Sequence, residues 1–444
     1  MHTKTKKKPA ARKHLVAVLM AALFLVLAEF VLTAGLEPLT EQMKDTYYLS
    51  QMAKKGQYPN MVILGDSTMG GGMDPAVLDD EIGDVSLAVN AATGRQPLAG
   101  SYYYLEDLLE RYPDIHRVII GLTYDQLIHD DTNLMSELLV FDHIKDPEIK
   151  LQYGRTFLDI NQLPYLAKSY RYRNELDSFT DNIRDKIDFY QNPGETRSIG
   201  YMPAETRQDP DKGEIGMGDV RFEEKDIDQT SLHYLKAIFS LCKEKNVQVC
   251  LVTTLIGDAE FYSSDDVKRS HEYLANLAES CGVPFYDLNL WIEREERDVG
   301  HRMADTVHVT KDLAEEQTAV IGKILNGEDP DDFFYPDVET ARADIHGVLL
   351  NTVNTTPNED GSRTVHAGCI LTDNMTPQYQ IAVQPDGDEE VDLTNGYTSS
   401  SETVLPAQYV GSPLSLIVRV KAEGQDGTEY QRTLTVHIDA GTWG

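Results

Sequence analysis

The 444-residue sequence contains few cysteines and no spacing typical of a metal site. Its four cysteines, Cys242, Cys250, Cys281 and Cys369, include no Cys-x-x-Cys pair, and Cys250 lies within an apolar run. Structural zinc sites need closely spaced Cys and His ligands, so the sequence predicts no metal. Disulfides are an open alternative for these cysteines, but we expect buried, unpaired thiols.

Basic residues are scarce as well. The chain has 40 Lys and Arg against 73 Asp and Glu, which gives a formal net charge of −33. Six of the basic residues lie in the first 14 positions, which carry no acid, so the rest of the chain has a charge of −39. A field of this sign repels nucleic acid and anionic lipid headgroups. We therefore expect no nucleic-acid partner and interpret the acidic residues as a solvated surface.

Long apolar runs are limited to one, Leu15–Leu36, which only Glu29 interrupts. About 20 apolar residues cross a bilayer as a helix, and the basic residues 1–14 should stay in the cytoplasm. Glu29 lies near the outer end, where a carboxylate can reach the membrane interface. A cleaved signal peptide is the alternative, but the residues around position 33 form a poor cleavage site. The sequence predicts a single-pass cell-membrane anchor with the remaining chain outside the cytoplasm.

Short apolar runs alternate with amphipathic helical patterns between residues 55 and 326. Near-continuous hydrophobicity predicts five buried strands, at residues 61–64, 85–89, 118–122, 247–252 and 283–286. Helical patterns lie between them, at residues 102–111, 231–245 and 271–280. This alternation predicts an α/β domain in which helices cover both faces of a central parallel sheet.

Two segments depart from this alternation. Residues 126–230 form a long insertion rich in Tyr, Arg, Asp and Asn, which predicts a small helical subdomain or a lid. After an acidic, Pro-containing linker at residues 326–336, apolar and polar residues alternate between turn signals. That pattern predicts an antiparallel β-sandwich of immunoglobulin-like type over residues 338–444. We expect this β domain to fold separately from the α/β domain.

A serine follows the first predicted strand, in Gly65-Asp66-Ser67. Such a serine can simply cap a helix, so its meaning depends on the rest of the chain. Far downstream, Asp305 and His308 lie three residues apart, just before the last helix of the α/β domain. A serine hydroxyl becomes a good nucleophile when an imidazole removes its proton, and the imidazole needs a carboxylate to fix its tautomer. The combination predicts a Ser67, His308 and Asp305 triad.

With these residues the chain resembles the SGNH or GDSL-type hydrolases. Gly65-Asp66-Ser67 matches the first block of that family, and Asp305-x-x-His308 before the final helix matches the last block. The resemblance covers roughly residues 59–325. It implies the SGNH hydrolase fold, a flavodoxin-like three-layer sandwich, with Ser67 as nucleophile, His308 as base and Asp305 as the residue that orients it. It also implies that no metal or organic cofactor is needed.

The middle blocks of the family are matched more loosely. VNAATGRQP, after the second strand, resembles the glycine block, which implies the amide of Gly94 as an oxyanion donor beside the amide of Ser67. After the third strand the family has Gly-x-Asn-Asp, whereas this chain reads GLTYDQL and lacks the asparagine. Either a hydroxyl or Asn90 substitutes for that donor, or the chemistry is slow. The candidates for this part of the site are Asn90, Thr123, Tyr124 and Asp125.

The anchor, the GDS serine, the weak asparagine block and the long insertion together resemble the divergent, membrane-anchored branch that includes DltD-like and alginate-acetylation proteins. That resemblance implies action on a cell-surface glycan or other acylated polymer, with a membrane-bound O-acyltransferase as a partner. We therefore expect an extracytoplasmic serine esterase or O-acyltransferase acting on acyl groups, acetyl first among them. The alternative is a non-catalytic SGNH-like scaffold that holds the polymer for a membrane acyltransferase.

Overall fold

The computed structural model describes residues 9–128, 133–194, 196–204, 220–294 and 299–440. The longest helix, α1, contains the apolar run Leu15–Leu36, which has a mean hydropathy of 2.8 and is long enough to cross a membrane. The α-helices of the described residues are α1 Pro9–Leu36, α2 Glu41–Lys54, α3 Ser67–Gly72, α4 Pro75–Glu81, α5 Leu98–Arg111, α6 Leu134–His143, α7 Pro147–Phe157, α8 Lys168–Arg171, α9 Phe179–Gln191, α10 Gln229–Glu244, α11 Asp258–Ser263, α12 Asp265–Cys281, α13 Lys311–Leu325 and α14 Val338–Ala343.

Five parallel strands form the central sheet in the order β2-β1-β3-β4-β5. They are β1 Met61–Leu64, β2 Ala88–Asn90, β3 Arg117–Leu122, β4 Gln248–Thr253 and β5 Phe285–Asp287. Each predicted apolar run overlaps one of them, although the second strand begins at Ala88 rather than Val85. Its Val89 pairs with Val62 of β1, which pairs on its other side with Val118 of β3. The predicted parallel sheet is confirmed.

Helices cover both faces of this sheet. Alternate residues of β1 belong to two separate apolar clusters: Val62 and Leu64 pack with α5, α10 and α12, whereas Met61 and Ile63 pack with α3, α4 and α13. All four side chains are completely buried. Burial on both faces explains the near-continuous hydrophobicity of the strands, and it confirms the α/β class.

The described part of the long insertion is helical. It contributes α6, α7, α8 and α9, of which α6 and α7 pack on α5 of the α/β domain. The other two, α8 and α9, pack on the last turns of α1. A further segment, residues 196–204, runs beside α3, where the amide of Met202 donates to the carbonyl of Gly70 at 2.8 Å. The insertion therefore joins α1 to the α/β domain.

Two antiparallel sheets follow in the C-terminal region, with strand orders β10-β7-β6 and β12-β11-β8-β9. The strands are β6 Val348–Pro357, β7 Arg363–Leu371, β8 Gln378–Pro385, β9 Val391–Asp392, β10 Glu402–Leu405, β11 Leu414–Glu423 and β12 Glu429–Ile438. Val365 of β7 and Leu405 of β10 share an apolar cluster with Ile381 of β8 and Leu416 of β11. The two sheets therefore pack against each other, as the alternating sequence pattern predicts.

The junction between the two parts is packed and hydrogen-bonded. In the predicted linker, the carbonyl of Phe333 accepts from the amide of Ile292 at 2.9 Å, and the amide of Tyr335 donates to the carbonyl of Leu290 at 2.8 Å. Beyond it, Leu349 and Leu350 of β6 are buried in the same cluster as residues of the α/β domain. Separate folding of the β region stays a prediction, but these contacts favour coupled stability of the two parts.

We therefore expect Leu349→Ala to destabilise both parts, by about 2–5 kcal/mol, because it removes apolar contacts on each side of the junction and leaves a cavity. Hydrogen–deuterium exchange followed by mass spectrometry should show faster exchange in α12 and in β11. Val404→Ala, at a side chain that is 53% exposed, is the control and should change neither. Faster exchange in only one of the two elements would instead show independent folding.

Candidate active site

Ser67 lies at the turn that joins β1 to α3. Gly65 has a φ of +150°, and a side chain there would come within 2.6 Å of Cγ of Met69 and 3.0 Å of the carbonyl oxygen of Gly121. Only glycine tolerates both this φ and this close approach. Asp66 then caps α3 by accepting from the amide of Thr68 at 2.9 Å and from its hydroxyl at 2.6 Å. These constraints place Ser67 at the first residue of the helix, at the carboxyl end of β1.

The structure brings Ser67, His308 and Asp305 together. The hydroxyl of Ser67 donates to Nε2 of His308 at 2.9 Å, and Nδ1 of His308 donates to Asp305, with distances of 2.8 Å to Oδ2 and 3.0 Å to Oδ1. Asp305 Oδ1 also accepts from the backbone amides of Val307 and His308, at 2.9 and 2.8 Å. The carboxylate thus fixes both the loop and the imidazole ring, and the ring faces the serine hydroxyl with its second nitrogen.

The electrostatics of the pair favour a strong base. The hydrogen bond that His308 donates to Asp305 raises the pKa of His308, and this effect outweighs partial burial of the ring. Partial burial of Asp305 opposes its ionisation, but hydrogen bonds from the His308 ring and the two loop amides lower its pKa to about 2. Asp305 is therefore ionised at neutral pH and stabilises the imidazolium that would form when His308 takes a proton.

A pocket of about 280 Å³ opens over Ser67 and His308. It is lined by the turns that follow β1, β2 and β3, together with the loop that carries His308. In open parallel sheets, ligands bind at the carboxyl ends of the strands where the strand order changes direction. Here that position lies between β1 and β3 in the order β2-β1-β3-β4-β5. No described residue of the insertion beyond position 132 lines this pocket, so those residues form no lid over it, and Ser231 of α10 lines it from just after the insertion.

Two of the residues predicted for the oxyanion site lie elsewhere. The side-chain amide of Asn90 donates to the carbonyls of Met69 and Met73, both at 2.9 Å, so Asn90 has no N–H left for an oxyanion. The hydroxyl of Tyr124, which is 1% exposed, donates to Asp287 Oδ2 at 2.7 Å. These contacts correct the prediction, because both side chains hold elements of the fold together and neither lines the pocket.

The other three predicted residues are divided between two cavities. Thr123 and Asp125 line the pocket with Ser67, and the hydroxyl of Thr123 donates to Asp125 Oδ1 at 2.9 Å. Gly94 instead lines a neighbouring cavity of about 250 Å³, which also contains Asp45 and residues of the insertion. An oxyanion role for the Gly94 amide therefore stays a prediction.

Three residues that the sequence analysis did not single out also line the pocket. Arg95 is exposed at its edge, has a left-handed φ of 53°, and makes no hydrogen bond or ion pair with any described residue. Gln96 is 1% exposed, and its amide nitrogen donates to Ser101 Oγ at 2.9 Å. Gln126 holds the turn after β3 through weak contacts of 3.4 Å to Thr123 and Gln96. The only feature of the sequence that could have identified these three residues as part of the pocket is their position just after β2 and β3.

No group of three or more potential metal ligands occurs among the described residues. The four cysteines are unpaired; Cys242 and Cys250 are buried, whereas Cys281 and Cys369 are partly exposed. Burial raises the pKa of the Cys250 thiol to about 12, so it is a protonated, apolar core residue. The side chains in the pocket are suited to acid–base and nucleophilic chemistry.

Comparisons with known proteins add no family assignment. No protein-family model matches the chain, and a search of curated proteins finds no significant match. The functional argument accordingly depends on the geometry of the pocket.

The reactivity of Ser67 should depend on pH through His308. A neutral imidazole is needed to accept the serine proton, and Asp305 raises the pKa of His308 above its ordinary value of about 6.5. The rate of labelling by a fluorophosphonate should therefore rise with pH, with a midpoint above that value. Asp305→Asn removes the stabilising charge, so the maximal rate should fall and the midpoint should move to lower pH. A midpoint that is the same in both proteins would contradict this role of Asp305.

Proposed function

We propose that this protein is a serine esterase or O-acyltransferase of the SGNH type, acting on acyl groups of a cell-surface glycan. The observation that carries the proposal is the hydrogen-bonded chain from Ser67 through His308 to Asp305 within one pocket. Structural serines and histidines rarely meet in this order with a carboxylate on the second ring nitrogen, which is the arrangement of an activated nucleophile.

In the proposed reaction, Oγ of Ser67 attacks the ester carbonyl while Nε2 of His308 takes the hydroxyl proton. His308 then returns that proton to the departing alcohol oxygen, which leaves an acyl group on Ser67. Water or a sugar hydroxyl next attacks this acyl-enzyme, again with His308 as base. Water as acceptor gives hydrolysis, and a sugar hydroxyl gives transfer.

The oxyanion requires N–H donors within the pocket. The amide of Ser67 makes no hydrogen bond with a described acceptor, as expected for the first residue of a helix, so it is available. We propose Gln126 as the second donor. Its side chain lines the pocket just after β3, near the position where the family has its asparagine. A side-chain amide there would supply stabilisation worth about 10²–10³ in rate.

The fold supports the same assignment in a general way. A five-stranded parallel sheet in the order β2-β1-β3-β4-β5 is a doubly wound arrangement, as the SGNH hydrolase fold requires. We further propose that the two packed antiparallel sheets of the C-terminal region form an immunoglobulin-like domain. Its place beside the α/β domain suits a binding module for the polymer.

Arg95 indicates the charge of the substrate. It is an exposed cation at the edge of a pocket that also contains Asp66 and Asp125, in a chain with a net charge of −33. A left-handed backbone is costly for an arginine, so its position suggests a functional constraint. We propose that its guanidinium binds a carboxylate or other acidic group on the glycan, next to the ester.

We propose that α1 is a retained membrane anchor rather than a cleaved signal. Its last residues are part of the packed fold, since Gly35 and Leu36 are buried and their carbonyls accept from the side-chain amide of Asn182 at 3.0 and 3.2 Å. Cleavage near position 33 would remove Glu29, whose carboxylate accepts from the backbone N–H and the hydroxyl of Ser169, and the loss of these partners would be destabilising. The basic residues before α1 favour a cytoplasmic N-terminus.

The central experiment is fluorophosphonate labelling and turnover of a chromogenic acetyl ester. Ser67→Ala and His308→Ala should each abolish labelling and lower kcat by about 10⁴-fold or more, because the two residues act as a unit. Asp305→Asn should retain more activity, since Asp305 exchanges no atom with the substrate. Ser399→Ala and His437→Ala, in the C-terminal region, are matched controls and should leave activity unchanged.

The same experiment distinguishes the enzyme from the alternative, a non-catalytic scaffold. The absence of the family's asparagine donor favours the scaffold. Wild-type protein that neither labels nor turns over any acyl donor, although correctly folded, would support a scaffold. Full activity of Ser67→Ala on a true glycan substrate would show that the proposed mechanism is wrong.

Arg95 should contribute to binding of acidic substrates. Arg95→Gly removes the charge and suits the left-handed backbone, so it should raise KM for an acetylated acidic glycan by about tenfold or more, the value of one charge-assisted contact. The KM for an uncharged acetyl ester should stay the same, and Arg95→Lys should recover part of the loss. An equal effect of Arg95→Gly on both substrates would indicate a structural role instead.

A further inference from the structure

The insertion is attached to α1 within the apolar run itself. Ser169 donates its backbone N–H to the carboxylate of Glu29 at 3.2 Å, and its hydroxyl donates to the same carboxylate. The neighbouring Lys168 forms an ion pair of 2.5 Å with Glu37, just beyond the end of the helix. Glu29 is therefore partnered by the protein, which differs from our expectation that it simply reaches the membrane interface.

Helix α9 of the insertion also contacts the C-terminal end of α1. Lys186 donates to the carbonyl of Ala34 at 3.0 Å, and Asn182 donates to the carbonyls of Gly35 and Leu36. A side chain at Gly35 would overlap the ring of Phe179, so the two helices approach closely. These contacts hold the insertion at a defined height along α1.

That height can be related to the bilayer. An α-helix rises 1.5 Å per residue and the hydrocarbon core is about 30 Å thick, so a span that begins at Leu15 reaches the far boundary near Ala34. Glu29 lies five residues before Ala34, which corresponds to about 8 Å inside that boundary. Ser169 of α8 is hydrogen-bonded to Glu29, so the residues around it lie at the boundary of the hydrocarbon core or within it.

The chain around Ser169 carries an unusual surface. Outside α1, thirteen large apolar side chains among the described residues are exposed, and four of them fall within residues 160–176. These four, which we call the platform residues, are Ile160, Leu163, Tyr170 and Leu176, with exposures of 79%, 49%, 41% and 66%. Such a concentration of exposed apolar residues is costly in water and marks an interaction surface.

The charge of this segment differs from that of the whole chain. Residues 160–176 contain three basic residues and one acidic residue; Lys168 and Arg171 form ion pairs with Glu37 and Asp142, which leaves Arg173 as the exposed cation of the segment. The guanidinium of Arg173 lies over the rings of Tyr165 and Tyr170, with its carbon 5.6 and 4.3 Å from their centroids. Exposed tyrosines and arginines beside apolar side chains are typical of residues at a membrane interface.

We propose that residues 160–176 form a platform that inserts into the lipid leaflet on the side of the α/β domain. Ile160, Leu163 and Leu176 enter the boundary of the acyl chains, while Tyr170 and Arg173 lie at the headgroups. This inference depends on the proposed membrane anchor, because the height of the platform is set by its contacts with α1. The platform and α1 together hold the α/β domain in one orientation above the membrane.

Depth-dependent quenching of tryptophan fluorescence tests the platform in the full chain. The protein is reconstituted into phosphatidylcholine vesicles with or without bromine atoms on the acyl chains, and single tryptophans are introduced at exposed positions. Ile160→Trp and Leu176→Trp should be quenched by brominated lipid, beyond the background of the wild-type chain. Phe24→Trp, in the middle of α1, is the positive control, and Val404→Trp, in the C-terminal region, is the negative control.

The controls separate failure of the platform from failure of the anchor. Quenching at position 24 but not at 160 and 176 would overturn the platform and leave the anchor in place. No quenching at position 24 would overturn both, because the platform has no defined height without a membrane-spanning α1. The vesicles contain no other protein. If the platform residues bind a protein partner instead of lipid, tryptophans at positions 160 and 176 should be as little quenched as the one at position 404, which would also contradict the proposal.

Discussion

Close packing of α13 against α3 is the constraint on which the candidate active site depends. Ser67 and His308 are 241 positions apart in the chain, yet their side chains must remain in hydrogen-bond contact. The side-chain amide of Gln317 in α13 donates to the carbonyl of Gly72 at the end of α3, and Thr318 accepts from the amide of Asp74 at 3.1 Å. Both bonds are buried, so the relative position of the two helices is firmly defined. The loop before α13 delivers His308 to Ser67 as a consequence.

Much of the α/β fold could be predicted from the sequence, because strands buried on both faces have a simple pattern. The predicted run Met61–Leu64 coincides with β1, and the predicted run Val118–Leu122 differs from β3 only in that the strand begins at Arg117. The order of the strands, by contrast, depends on which helix crosses which face, and no local pattern contains that information. The segment between the two parts also makes contacts that its acidic, Pro-containing sequence does not indicate. Its acidic residues are solvated as expected, but Phe333 and Tyr335 bond to a distant segment, which only the tertiary structure reveals.

In the candidate active site, too, contacts between residues close in sequence could be predicted, whereas those that depend on the tertiary structure could not. Asp305 and His308 could be paired from sequence because a carboxylate three residues before an imidazole can reach it within one turn. The oxyanion site could not be derived in this way, since a side chain's direction at a strand end depends on the turn that follows. Asn90 turns inward to the carbonyls of α3, and Tyr124 turns inward to Asp287. Arg95 and Gln126 face the pocket from the same turns, and the φ of 53° at Arg95 has no sequence signature.

The contact between Glu29 and Ser169 changes how the proposed anchor should be understood. A carboxylate within an apolar span is costly in lipid, and the usual remedies are a short path to the interface or a protein partner. Here the partner is Ser169 of α8, so under the proposed anchor the cost of placing Glu29 in the membrane is offset only when α8 packs beside α1. The insertion in turn packs on α5 of the α/β domain through α6 and α7. The C-terminal end of α1, the insertion and the sheet that carries Ser67 are thus connected by continuous packing, and a reorientation of the α/β domain relative to α1 would require breaking the Glu29 contact.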